Sequence, residues 1–303
     1  MNPLSYENKI FNLFIGEKTK SKVEKYILCI SIIGFVIHLL LIYLKKSNFI
    51  QIEDHYNLLN NPISAIYTPF SFILVYEIYQ LIYYLPRSIS TYISKQYEII
   101  TLIIIRRIFK DISNLNLDKN ILTNELNLNL FIDLTTSIIL FFLIYLFRKN
   151  SKKQSSNSSN TINLLRFIRI KKWISSALMP LIIVVALFHL YNWTFDYVNN
   201  TNEIYLKSLN SIFFDELFQI LILVDVFLLL FSFFNSDLFH NIMRNSGFII
   251  STILIRVSFM AEGINNVILI IVSVLFGLLI QMIYNKCEEK NLFNSINLKH
   301  KHK

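Results

Sequence analysis

The chain is poor in the residues that shape loops, clefts and cross-links: its 303 residues include five glycines, five prolines and two cysteines. Cys29 falls inside an apolar run and Cys287 in a basic tail, so no structural disulfide is expected and both thiols read as inert. Scarce glycine and proline disfavour helices broken around a substrate, a device of many secondary transporters. Charge is thin too. With 16% charged and 54% hydrophobic residues, the chain has too few charges for a soluble domain of its length. HExxH, GxSxG, a P-loop, a glycine-rich dinucleotide turn and a TVGYG-like filter are all missing. The polar residues that an enzyme would gather at one interface are scattered. We therefore do not expect an enzyme, a cofactor or a metal, and a membrane enzyme stands only as the third alternative.

What the chain does have is apolar runs close to the roughly 20 residues that cross a hydrocarbon core of about 30 Å. Eight can be marked: Tyr26 to Leu44, Ala65 to Leu85, Gln96 to Phe109, Leu130 to Phe147, Trp173 to Trp193, Ile212 to Phe234, Gly247 to Met260 and Ile264 to Tyr284. The third and seventh are short and either thin the bilayer or sit inside the bundle. The fold class expected is thus an all-α polytopic membrane protein of about eight transmembrane helices. Residues 1–25 read as an amphipathic N-terminal segment, 26–149 as a first four-helix half, and 150–172 as a Ser/Asn-rich basic linker ending in an interfacial elbow. Residues 173–285 read as a second four-helix half and 286–303 as a basic tail.

The formal net charge of +9 does not point to nucleic acid, because the lysines and arginines lie between apolar runs, where they set topology. Arg148 to Lys172 carries eight of them and no acid, which places that segment, and by counting both termini, in the cytoplasm. The expected location is an inner or plasma membrane, with the lipid bilayer as the first partner. A membrane-protein partner or a second copy of the chain is the other candidate.

The two halves resemble each other. Ile99 to Phe109 (IITLIIIRRIF) returns as Ile249 to Phe259 (IISTILIRVSF), which places Arg106 and Arg256 at an interval of 150. His38 and His189 lie 151 apart, and Glu77 and Asp225 148 apart. Three polar matches in one order argue for an internal repeat with the halves in parallel orientation. An ionisable group at mid-membrane costs about 2.5–3.5 kcal/mol on insertion scales, so it faces protein or water. Asp225 with Arg256, and Glu77 with Arg106, are the pairs this suggests.

Two functions fit. In one, the protein is a transporter or channel-like protein moving an ion or small solute between the halves. Glu77 and Asp225 are then pathway carboxylates, Arg106 and Arg256 their counter-charges, and His38 and His189 proton-linked groups. In the other, the pairs only fix helix register in a membrane scaffold or subunit, and each histidine bonds a neighbouring helix. Lys95 and Glu98 read as interface markers, and Asp133, Asp215 and Glu216 as solvated helix edges. The closing HKHK, His300 to Lys303, is too short for a metal site.

Overall fold

The computed structural model describes residues 11–49, 59, 62–113, 125–151, 161–198, 209–235, 239–259, 261 and 263–301. Their regular structure is helical throughout: α1 (Glu17–Lys46), α2 (Tyr67–Tyr84), α3 (Ile89–Ser113), α4 (Glu125–Ser151), α5 (Thr161–Val198), α6 (Leu209–Asn235), α7 (Phe239–Ser258) and α8 (Ile264–Lys301). A 3₁₀ turn, Pro62–Ile66, precedes α2, and residues 11–15 form a helical turn before α1. Helices are what such runs must form, since lipid offers no partner for a backbone N–H or C=O.

Six of these helices are long and apolar enough to cross a membrane: Glu17–Lys46, Pro62–Tyr84, Leu128–Ser151, Ile168–Phe188, Glu216–Phe233 and Ile264–Glu289. They correspond to six of the eight runs expected from sequence. The third and seventh runs are helical too, but α3 and α7 are not apolar enough to qualify. Their length is not the obstacle: α3 has 25 residues and α7 has 20, or about 37 and 30 Å at 1.5 Å per residue. The 14-residue runs measured the apolar stretch of each helix rather than the helix. Both are lined with buried side chains, including Tyr92, Tyr97, Ile100 and Thr101 on α3, and Phe248, Ser251, Thr252 and Ile255 on α7. A helix with one face buried against protein can carry polar residues that a lipid-facing helix cannot.

Local signals set the helix ends. Glu17 in the first turn of α1 and Lys45 and Lys46 in its last complement the helix dipole. Ser88 caps α3, its Oγ accepting the Thr91 N–H at 3.3 Å and its carbonyl the Tyr92 N–H at 2.9 Å. Pro69 lies in the first turn of α2, where its missing N–H costs nothing. Pro180 falls in the interior of α5.

Packing divides the chain into two compact units, residues 1–84 with 95–141 and residues 85–94 with 142–303. The breaks fall within α3 and α4, whereas the sequence division falls at the Ser/Asn-rich linker, whose residues 152–160 lie outside the described ones. In the first unit α1 packs on α2. Gly34 permits this approach, for a Cβ there would lie 2.9 Å from Phe72 Cε2 and 3.3 Å from Thr68 Cγ2. The preceding turn is tied on by Tyr79, whose hydroxyl donates to the Phe14 carbonyl at 3.1 Å.

In the second unit α7 packs on α6 and most extensively on α8. Buried polar groups stitch these helices, as expected where lipid gives apolar faces no preference for each other. Asn245 donates to Ser232 Oγ at 2.6 Å, Ser251 to the Ser273 carbonyl at 2.6 Å, and Asn266 to the Ser258 carbonyl at 2.6 Å. Lys171 departs from the expected interfacial elbow. Leu164 to Trp173 continues straight into α5, and this turns Lys171 inward to 3% exposure, with Nζ donating to the Arg87 carbonyl at 3.1 Å. Arg169, two residues earlier, stays exposed.

Candidate functional site

Both expected ion pairs are present, each inside one unit. In the first, Arg106 Nη2 on α3 donates to Glu77 Oε2 on α2, with side-chain exposures of 13% and 4%. In the second, Arg256 Nη1 on α7 lies 2.6 Å from Asp225 Oδ2 on α6, with exposures of 3% and 1%.

Each pair sits in the same aromatic setting. Phe70, seven residues before Glu77, stacks on Phe109, three after Arg106, at 4.7 Å between ring centroids. Phe218, seven before Asp225, stacks on Phe259, three after Arg256, at 4.6 Å. Seven residues are about two helical turns, so each acid and its phenyl ring share a face. The same offsets occur on both members of both pairs.

The pairs differ in how fully the carboxylate is held. Asp225 has three partners. Besides Arg256, the Tyr92 hydroxyl donates to Oδ1 at 3.0 Å, and the Thr252 hydroxyl lies 3.0 Å from Oδ2. Arg256 Nη2 in turn donates to Tyr92 Oη at 3.4 Å, which closes a ring of contacts. Thr252 has one proton for two acceptors, since the Ile249 carbonyl is 2.9 Å away. Lys171 lies within electrostatic reach of Asp225 as well. Hydrogen bonds to a charged group contribute about 1.5–3 kcal/mol each, and a buried pair repays its desolvation only with such help. Glu77 has a single hydrogen-bond partner among the described residues, Arg106. The residue 150 positions before Thr252 is Leu102, an aliphatic residue at 44% exposure.

A third pair escaped sequence reasoning. Asp133, expected at a solvated edge, is 3% exposed and takes a two-point contact from Arg107: Nε to Oδ2, and Nη2 to Oδ1 at 2.5 Å. Adjacent residues on a helix point about 100° apart, so Arg106 turns to α2 while Arg107 turns to α4. An acid three residues into an apolar run, facing a helix with two successive arginines, was the available signal. Tyr92 had no comparable signal.

His38 does not join these pairs. His38 Nδ1 lies 2.5 Å from Thr68 Oγ1, nine residues and about 13 Å along α2 from Glu77. It bonds a neighbouring helix, as the structural alternative held. His189 belongs to α5, but its side chain lies outside the described residues, as do those of Asp215 and of His300 to Lys303. Glu216 is exposed, and Lys95 pairs with Glu98 at 2.8 Å, each side chain 25% exposed. Both cysteines are free and exposed.

The fold and site together define a class: a helical, multi-pass protein of a lipid bilayer with buried ion pairs between its helices. Comparison with known proteins takes this no further, since no protein-family model, no curated protein and no solved structure matches the chain.

Proposed function

We propose that the protein is a transporter or channel-like protein that carries an ion or small solute past its buried acid–arginine pairs, and that it is not an enzyme. On this reading all eight helices cross an inner or plasma membrane with both termini cytoplasmic, and the chain is a repeat of two four-helix halves in parallel orientation. The observation that carries the proposal is the recurrence of one arrangement in both units, an acid, an arginine and a stacked phenyl pair at the same offsets. Ionisable groups inside a membrane are costly and mark ion or proton routes. Such a route needs a partner that can let go, and the singly bonded Glu77 fits that requirement.

The test is flux. Purified protein in proteoliposomes is expected to dissipate an imposed proton or alkali-cation gradient, and Glu77→Gln is expected to slow this at least about tenfold, a change of 1.4 kcal/mol in the barrier. Equal rates in empty and loaded vesicles, over a range of ions, would overturn the proposal.

The three partners of Asp225 favour a second reading, a membrane scaffold or subunit in which the pairs fix helix register. It is distinguished by the same vesicles, which would then show no flux although the protein is folded.

A further inference from the structure

We infer that the two carboxylates have unequal roles: Glu77 is a proton-binding site that exchanges its proton against the Arg106 ion pair, while Asp225 is a fixed pin between helices. This deepens the transport reading and rests on it for its purpose, though not for its chemistry.

The argument is one of partners. An ionised carboxylate in a low-dielectric interior is held by the groups that donate to it, and each lost donor favours the neutral form. Asp225 faces Arg256, Tyr92 and Thr252 from two different helices, with Lys171 in reach from a third. Protonating it would break a closed ring of contacts, because the Tyr92 hydroxyl that donates to it also accepts from Arg256. Protonating Glu77 would break one, the bond from Arg106.

The other charged and titratable groups around Glu77 are turned to their own partners. On its own helix the Tyr76 hydroxyl donates to Glu24 Oε2 of α1 at 2.9 Å, and Tyr79 donates to the Phe14 carbonyl. Lys20 of α1 donates to Tyr84 Oη at 3.2 Å. On α3, Arg107 turns away to Asp133. Arg106 is the cation that faces Glu77 among the described residues. A proton is the ligand that fits: a metal ion asks for several oxygens around it, whereas a proton neutralises a lone buried carboxylate with no further shell. Glu77 is 3% exposed, so the exchange takes place out of bulk water, where losing or gaining a charge changes the pairing energy most.

The test uses dicyclohexylcarbodiimide, an apolar reagent that adds to protonated carboxyls. The carboxyl proton moves to a carbodiimide nitrogen, the carboxyl oxygen bonds to the central carbon, and nothing leaves. The protein, full length in lipid vesicles, is treated, digested and mapped by mass spectrometry. We expect one added reagent on the peptide holding Glu77, its loss in Glu77→Gln, and an unmodified Asp225 peptide. Label on Asp225, or on neither residue, overturns the inference. Should Glu77→Gln fail to fold, the map of the unaltered protein decides alone. Labelled Glu77 without flux sustains this inference and sinks the transport reading, while flux without labelled Glu77 does the reverse.

Discussion

Replacing Asp225 with asparagine is expected to destabilise the protein by about 3–5 kcal/mol, the range for stripping a buried pair of one partner, and Arg256→Gln by a similar amount. The reason is the charge left behind. Arg256 is 3% exposed and Asp225 1%, so neither can turn to water when the other is neutralised. The asparagine would keep the shape of the side chain and could still accept from Tyr92 or Thr252, which leaves the loss concentrated in the uncompensated guanidinium. In the double variant both charges are gone, and most of the loss should be recovered, so that the double change costs less than either single change. The measurement is reversible unfolding in mixed micelles, with the four proteins compared side by side. Additive single losses, or a neutral Asp225→Asn, would show that the pair does not hold α6 to α7.

At Gly247 the expected loss comes from shape alone. A Cβ there would lie 2.7 Å from Ile280 Cγ1, 2.9 Å from Cγ2 and 3.0 Å from Cδ1, all on one branched side chain of α8. Ile280 cannot clear all three by a small rotation, because its branch at Cβ restricts χ1. Gly247→Ala should therefore cost about 1–3 kcal/mol through overpacking, against a helix propensity that on its own favours Ala by about 1 kcal/mol. Gly247→Leu should prevent the α7–α8 contact from closing. Truncating the opposing residue should restore it, so that Gly247→Ala with Ile280→Ala is more stable than the sum of the two changes implies. At Gly34 the same substitution should cost less, since the nearest atom there is the rim of the Phe72 ring, which can swing. If Gly247→Ala stabilises the protein, propensity outweighs the contact and the close approach of α7 to α8 is not required.

How much of this was written in the sequence differs residue by residue. The runs that became α1, α2, α4, α5, α6 and α8 were legible because apolarity over about 20 residues is a local property, and lipid enforces the helix on it. Glu77, Arg106, Asp225 and Arg256 were legible for the complementary reason. A charge in such a run is expensive, so each announces that it has a partner. The lengths of α3 and α7 were not legible, since helices with one face buried against protein need not be apolar from end to end.

Partner choice beyond these four depended on the tertiary structure. Whether Asp133 meets water or Arg107, and whether Lys171 faces lipid headgroups or the interior, is fixed by helix rotation. A turn of about 100° per residue separates those outcomes, and hydropathy averaged along a run does not register it. Tyr92 reaches Asp225 across 133 positions, a distance over which no periodicity carries information. The sequence by itself thus determined that the chain is helical, bound for a bilayer and charged within its apolar runs. Only the fold decided that one carboxylate is held by three groups and its counterpart by one, because hydrogen bonds are counted in space and not along the chain.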